Sequence, residues 1–128
     1  MTRPREQALA LLAKARQDEV LLEEVLASPR VADEIVGFHA QQAIEKLLKA
    51  ALSLREIRYR KTHDLRELLD LLRDVGCALP EKIDCVDDLT PYGTLLRYEA
   101  MSVDQPVDRQ EMLDLVQQVR RWVESQLG

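Results

Sequence analysis

One segment in the middle of the chain limits the choice of folds more than any other part of the sequence. Apolar residues recur there at intervals of four, three, four, three and four positions: Val36, Ala40, Ala43, Leu47, Ala50 and Leu54. This spacing follows the helical period of about 3.6 residues and gives the segment one continuous apolar face. Because three of these residues are alanine, we expect a second helix to pack close against that face.

The sequence before this face predicts a first helix and the start of the central one. Helix-favouring residues extend from Arg5 to about Ala27, and Ser28 and Pro29 follow them. Serine is a good helix cap and proline is well tolerated in the first turn. We therefore expect Ser28 to cap the central helix and Pro29 to begin it. The central helix then continues to about Ile57.

A third helix and a shorter helical stretch are expected after a break. Thr62 can cap the third helix, with Asp64 in its first turn where a carboxylate suits the helix dipole. The helix continues to about Val75, and Gly76 ends it. The shorter stretch, Pro80–Leu89, follows.

The rest of the chain completes a helical fold. Pro91 and Gly93 interrupt the short stretch, residues 100–106 read as a loop, and the last helix begins near Val107, capped by Asp108 or Asp104. No segment shows the alternating pattern of a strand. The sequence therefore predicts an all-α protein, an up-and-down helical bundle of four to five helices that forms one domain over residues 1–128.

The charge of the chain argues against non-specific coating of nucleic acid. Its 18 lysine and arginine residues are outnumbered by 23 aspartate and glutamate residues, and the formal charge is -5. Contact with nucleic acid would therefore depend on a local basic patch. The sequence has no signal-peptide pattern and no run of roughly 18 apolar residues that could span a membrane, so we expect a cytoplasmic protein without membrane contact.

Cofactor and metal chemistry are not expected. Four scattered glycines cannot form a glycine-rich phosphate loop. The two histidines, His39 and His63, lie in different segments, and neither has a second metal ligand at helical spacing. We therefore predict no metal and no cofactor.

Three short motifs resemble those of one protein family and occur in the same order. The segment Gly37–Ala50, GFHAQQAIEKLLKA, resembles the signature helix of the HEPN family. The segment Lys61–Leu65, KTHDL, is similar to the start of that family's third helix. Thr90–Tyr92, followed by Arg97–Tyr98, resembles its Tyr…Arg-Tyr-Pro element. With the flanking helices, the resemblance covers essentially the whole chain.

The resemblance implies a helical bundle that often forms a homodimer. Many HEPN proteins act in toxin–antitoxin, abortive-infection or RNA-processing systems, and they are commonly encoded beside, or fused to, minimal nucleotidyltransferases. The active members are metal-independent ribonucleases in which an arginine is followed four to six residues later by a histidine.

This chain departs from that catalytic pattern. No histidine occurs among the six residues after Arg97, and Glu99 replaces the usual proline. Arg58 and His63 have four residues between them, but they straddle the break before the third helix, so we interpret their spacing as coincidental. The general acid/base that would act on a ribose 2′-OH is thus absent from its usual position. Ribonuclease activity is not expected, and Arg97 and His63 are the candidates for any catalytic role.

Four residues of the central helix form the candidate binding face. His39, Gln42, Lys46 and Lys49 are spaced three, four and three, beside the apolar face. One interpretation is a polar groove in which the two lysines bind the phosphates of a nucleotide or RNA. The other is a solvated helix face that carries an ion pair between Glu45 and Lys49.

Further candidates lie outside the central helix. Arg97 either organises its loop or holds a phosphate, and Tyr98 is either a packing residue or a second contact to the nucleotide or RNA. His63 either bonds a backbone group at the helix entrance or supplies chemistry. A solvated loop and a site for RNA or an acidic partner are both open interpretations of one basic cluster: Arg55, Arg58, Arg60 and Lys61.

We therefore predict a nucleotide- or RNA-binding, toxin-type subunit that works with a minimal nucleotidyltransferase. The alternatives are a metal-independent ribonuclease with a non-standard active site and a homodimeric structural adaptor without catalysis. A homodimer is expected because Ile44, Leu48 and Leu52 form a second apolar arc beside the first. Such an arc usually needs a partner surface.

Overall fold

The computed structural model describes residues 3–80, 82–94 and 108–128, and these residues form a helical bundle. A 3-10 segment, Ile83–Leu89, leads directly into the short fourth helix. The described residues include no strand. The predicted all-α bundle is therefore confirmed, and the described residues form five helices: α1 (Arg3–Val25), α2 (Asp33–Leu54), α3 (Leu65–Asp74), α4 (Thr90–Thr94) and α5 (Arg109–Gln126).

Helix α2 is the centre of the bundle and packs against each of the other described helices. Its most extensive interface is with α1, followed by that with α5. The apolar face that the sequence predicts is buried from Val36 to Ala50, and Leu54 at its end is half-buried. The predicted phase of the central helix is therefore confirmed.

The second apolar arc of α2 is also covered by the chain itself. Ile44, Leu48 and Leu52 are completely buried within the bundle. The expectation that this arc needs a partner surface is therefore wrong, because helices of the same chain supply that surface. This finding removes that argument for a homodimer.

Helix α2 begins four residues later than the sequence pattern suggests. Ser28 and Pro29 belong to a turn, and the helix starts at Asp33. The residue at the cap position is Ala32, whose side chain makes no capping hydrogen bond. The prediction that Ser28 caps this helix is wrong.

Arg109, the first residue of α5, organises this turn from a distance. Its guanidinium group donates hydrogen bonds to the carbonyl oxygens of Val25 (2.6 Å), Ser28 (2.9 Å) and Val31, and to the carboxylate of Asp33 (2.9 Å). One side chain thus satisfies backbone oxygens at the end of α1 and in the turn. This contact replaces a local cap as the support for the α1–α2 connection.

Helix α2 also ends before the predicted position. It ends at Leu54, and Glu56 adopts a left-handed conformation with φ of 55°. The backbone N–H of Ile57 donates to the oxygen of Leu52, and that of Glu56 donates to the oxygen of Ser53. This pair of bonds is a Schellman motif, which stops a helix and turns the chain.

The cap of α3 lies two residues after the predicted one. Asp64 is the cap, and its side chain accepts hydrogen bonds from the backbone N–H groups of Arg66 and Glu67. Thr62 instead accepts a hydrogen bond from the N–H of Asp64. At the other end, Gly76 has φ of 76° and ends the helix as predicted.

The region after α3 partly follows the sequence-based prediction. The helical stretch begins at the 3-10 segment rather than at Pro80, and Pro91 and Gly93 lie inside α4 instead of interrupting it. Proline is tolerated there because the first turn of a helix needs no N–H donor. Asp108 caps α5 by accepting from the N–H of Glu111, as one of the two predicted caps. The other, Asp104, lies outside the described residues.

Candidate functional site

One half of the polar side of α2 is organised by a carboxylate from α1. Asp18 is largely buried, and its side chain faces α2. A hydrogen bond of 3.0 Å joins its Oδ1 to Nδ1 of His39, and Lys46 Nζ donates to its Oδ2 at 2.6 Å. His39 and Lys46 are therefore held by the same carboxylate.

The other half is organised by Glu45 of α2, whose side chain is only 7% exposed. Gln41 Nε2 donates to its Oε1 at 3.0 Å, and Nδ1 of His63 lies 2.7 Å from the same oxygen. Lys49 Nζ donates to its Oε2 at 3.1 Å, which forms the predicted ion pair one turn apart. A buried carboxylate thus has three polar partners from α2 and from the connection between α2 and α3.

The hydrogen bonds to Glu45 decide its charge. Burial raises the pKa of this carboxyl, but the hydrogen bonds from Gln41, His63 and Lys49, with the charge of Lys49, lower it by more. The net result is a pKa below the ordinary glutamate value, so Glu45 is ionised at neutral pH. An ionised carboxylate can orient the His63 imidazole and hold the Lys49 ammonium group.

The three motifs that carry the family resemblance meet at Gln41, a fully buried residue of α2. Its amide donates to the backbone oxygen of His63 at 3.1 Å and accepts a hydrogen bond from Gln42 at 2.8 Å. Gly93, directly after the Thr-Pro-Tyr motif, packs so closely that a Cβ atom there would lie 2.6 Å from the Gln41 side chain. Gln41 therefore links α2 to both the α2–α3 connection and α4.

A second close approach fixes α4 against the start of α2. A Cβ atom at Gly37 would lie 2.5 Å from the ring of Tyr92. Burial of the Tyr92 side chain raises the pKa of its hydroxyl, and the charges of Glu34 and Asp33 act in the same direction. The hydroxyl is therefore neutral over the physiological pH range.

The predicted binding residues of α2 lie on one side of the helix but divide between two carboxylates. His39 and Lys46 contact Asp18, whereas Lys49 contacts Glu45. Gln42 is half-buried and binds Gln41. The side is neither a free cationic groove nor a simple solvated face, because each predicted residue has a partner within the chain. Arg97 and Tyr98 lie outside the described residues.

The sequence interpretation did not identify Asp18, the carboxylate that holds His39 and Lys46. Asp18 falls between Ala15 and Leu22 in the apolar series of α1, at intervals of three and four residues. An acidic residue at a core position of a helix needs a cationic or donor partner. That pattern could have indicated a paired carboxylate at Asp18 before the structure was known.

The basic cluster of the α2–α3 connection is exposed. Arg60 binds both oxygens of Glu67, at 2.8 and 2.9 Å, and Arg55 donates to the side-chain oxygen of Gln126 at 2.8 Å. Arg58 and Lys61 make no ion pair with any described residue.

Two further kinds of functional feature are absent from the described part of the chain. It contains no group of three or more histidine, cysteine, aspartate or glutamate residues that could hold a metal ion. Within the same residues, no helix is both long and apolar enough to cross a membrane.

Comparison with known proteins agrees with the motifs that converge on Gln41. No curated protein and no solved structure gives a significant match to the chain. Residues 6–126 match the family described as HEPN domain, and this match covers nearly the whole sequence. The chain therefore belongs to the HEPN domain family.

Proposed function

We propose that this chain is a cytoplasmic protein that binds RNA or a nucleotide, as the toxin-type subunit of a two-component module with a minimal nucleotidyltransferase. Membership of the HEPN family supports a nucleotide- or RNA-related function in general. The observation that carries the proposal is the meeting of the three family motifs at Gln41, beside two histidines that are held by buried carboxylates.

The two imidazoles are the groups in this cluster that are best prepared to meet a ligand. His39 and His63 are the only histidines of the chain, and each uses Nδ1 to bind a carboxylate. The opposite ring atom, Nε2, makes no hydrogen bond to another described residue in either case. The His63 side chain is 43% exposed. An imidazole held in this way can donate a hydrogen bond to a phosphate oxygen through Nε2 when it is protonated.

Binding without efficient cleavage is the activity that we propose. The residues directly after Arg97 contain no histidine to act as general acid or base. A positioned acid or base typically contributes about 10²–10⁴-fold in rate. Phosphate contacts do not need such a group, so binding can persist where cleavage is negligible.

The test uses the purified chain and a labelled single-stranded RNA in EDTA, which removes metals that contaminating nucleases need. We expect weak binding in fluorescence anisotropy that decreases as the salt concentration rises, and an intact RNA on a denaturing gel. Cleavage that survives EDTA and disappears in Arg97→Ala would contradict the proposal and favour the ribonuclease alternative. If His63→Ala also abolished such cleavage, the Arg58–His63 spacing would be part of the active site.

The partner is tested separately in the native host. A tagged chain should co-purify with a nucleotidyltransferase, and expression of the chain alone should slow growth more than expression with that partner. Normal growth on expression alone, together with no nucleotidyltransferase in the purified material, would contradict the module. No binding of RNA or nucleotides in addition would favour the structural adaptor.

We also propose that the chain forms a homodimer, as HEPN domains often do. Four large apolar side chains are at least about one-third exposed, and contact with a second copy would cover such residues: Leu9, Leu21, Ile35 and Val75. Light scattering at micromolar concentration should give twice the 14.7-kDa mass of one chain. A monomer mass would contradict the dimer and leave the RNA-binding proposal standing.

A further inference from the structure

The lysines of α2 are poorly placed to bind phosphate, because each already neutralises a carboxylate of the bundle. Lys46 is bound to Asp18 at 2.6 Å, and Lys49 is bound to Glu45 at 3.1 Å. If Lys49 moved to a phosphate, Glu45 would lose a cationic partner while it stayed buried. An unpaired buried charge is costly, so these ion pairs oppose ligand binding by the two lysines.

The connection between α2 and α3 offers the opposite arrangement. Arg58 and Lys61 are exposed and make no ion pair with another described residue. Arg55 binds only the neutral amide of Gln126, so its charge is not compensated there. These cations can bind a phosphate without depriving a buried carboxylate of its cationic partner.

The backbone of this connection is held in a defined conformation. Ile57 and Tyr59 are half-buried against the core. Arg58 lies between them and Arg60 follows them, and both arginines are exposed. This alternation is that of an extended segment, in which successive side chains point to opposite sides. The Lys49 ammonium group lies 5.7 Å from the centre of the Tyr59 ring and helps to hold it.

Both ends of the connection are also fixed. The Schellman motif at Glu56 closes α2, and the Asp64 cap opens α3. The cationic side chains are thus carried by a backbone that does not have to become ordered when a ligand binds. Such preorganisation reduces the entropic cost of binding.

The charge of this connection differs in sign from that of the chain. Positions 55–63 hold four lysine or arginine residues and one acidic residue, whereas the formal charge of the chain is -5. This local excess of positive charge favours attraction of a polyanion to the connection, although the chain as a whole is acidic.

We infer that the α2–α3 connection is the RNA-binding surface, with Arg58 and Lys61 as the direct contacts to the phosphates of single-stranded RNA. This inference rests on the RNA-binding function proposed above and names the residues that perform it. His63 lies at the end of the same connection, where the Glu45 carboxylate orients its imidazole.

The test compares the salt dependence of RNA binding in two double variants. Arg58→Ala/Lys61→Ala removes the inferred contacts, and Lys14→Ala/Arg121→Ala removes the same two residue types from exposed positions elsewhere. Each phosphate contact on a single strand contributes about 0.7 to the slope of log affinity against log salt. The first variant should therefore lower the magnitude of that slope by about 1.4 and weaken binding at low salt, whereas the control should keep the wild-type slope.

Circular dichroism and thermal melting should match the wild type for both variants, because all four side chains are exposed. Wild-type affinity and slope in Arg58→Ala/Lys61→Ala would overturn this inference alone and leave the proposed function standing. An equal loss in both double variants would also overturn it, because net charge and not a local contact would then control binding. A wild-type chain that binds no RNA at low salt would overturn this inference, and one that also binds no nucleotide would overturn the proposed function as well.

Discussion

The backbone of Gly37 in α2 lies directly against the ring of Tyr92 in α4. A Cβ atom on residue 37 would lie 2.5 Å from Cδ1 of that ring. The next-nearest atoms belong to the same rigid ring, so none of them can move independently. Tyr92 is itself buried, so the ring has little space to move away. This position therefore requires glycine for packing, although glycine weakens a helix.

Gly37→Ala tests this close approach, because two effects of opposite sign compete. Alanine favours the helix by about 1 kcal/mol over glycine, whereas overpacking a core typically costs about 1–3 kcal/mol. We expect a net loss of roughly 1 kcal/mol in the free energy of unfolding, measured by urea denaturation. In a Tyr92→Ala background the ring is absent, so the same change should become stabilising. A loss of equal size in both backgrounds would show that the ring is not responsible.

Leu47→Ala tests the packing at the centre of the bundle. Leu47 is fully buried between Ala43 and Ala50, so its truncation leaves a cavity that alanine neighbours cannot fill. We expect the free energy of unfolding to fall by roughly 2–5 kcal/mol. The control is Gln17→Ala, an exposed change on α1 outside the proposed dimer contact, with an expected change of about 0.5 kcal/mol or less. A Leu47→Ala loss below about 1 kcal/mol would contradict the burial of this side chain.

Arg109→Ala tests the long-range support of the α1–α2 turn. The change removes the donor that binds three backbone oxygens and the Asp33 carboxylate. We expect a loss of roughly 2–4 kcal/mol in thermal or urea unfolding, because charged hydrogen bonds to partly buried acceptors are lost together. Arg121→Ala, an exposed change on the same helix, should leave stability nearly unchanged. Similar behaviour of the two variants would show that the turn does not depend on Arg109.

The observed start of α2 differs from the predicted one because of this contact between Arg109 and the α1–α2 turn. The sequence around Ser28 and Pro29 resembles a helix start, and local rules consider only neighbouring residues. The acceptors in that turn are satisfied by Arg109, which lies 81 positions after Ser28 in the chain. No local pattern contains that partner, so the first four predicted residues of the helix form a turn instead.

The apolar face of α2, by contrast, was predictable because it depends only on the local sequence. Its spacing is a property of one helix and needs no knowledge of the partner, so Val36 to Ala50 could be assigned to the core. The polar side could be located but not interpreted. Whether Lys46 and Lys49 are free depends on Asp18 and Glu45, and tertiary packing decides where the carboxylates lie.

Glu56→Gly tests the strain at the end of α2. Glu56 has φ of 55°, a left-handed conformation that costs about 1–2 kcal/mol for residues with a Cβ atom. Glycine adopts it freely but loses more backbone entropy on folding. We expect a net gain of about 0.5–1 kcal/mol in the free energy of unfolding. As a comparison, Gly76→Ala introduces a Cβ at φ of 76° and should destabilise the chain. No gain from Glu56→Gly would show that the strain is relieved in another way.

The buried carboxylate of Glu45 should make the free energy of unfolding depend on pH in the acidic range. Its pKa is below the ordinary glutamate value of 4.5, because the hydrogen bonds from Gln41, His63 and Lys49 outweigh the effect of burial. In the unfolded chain those donors are absent, so the unfolded state takes up the proton at a higher pH than the folded state. The stabilisation by ionised Glu45 is therefore complete above about pH 4.5 and is lost as the pH falls through the lower, folded value.

Glu45→Gln removes this titration and provides the measurement. At pH 7 the variant should be less stable than the wild type by roughly 1–3 kcal/mol, because His63 and Lys49 lose an ionised partner. As the pH falls below the ordinary glutamate range, the wild type loses the same interaction, so the difference in free energy of unfolding should become smaller. Glu24→Gln, an exposed change on α1, controls for the loss of one carboxylate and should differ little from the wild type at either pH. A difference between Glu45→Gln and the wild type that stays constant or grows on acidification would contradict the role of Glu45 as an ionised, buried partner of His63 and Lys49.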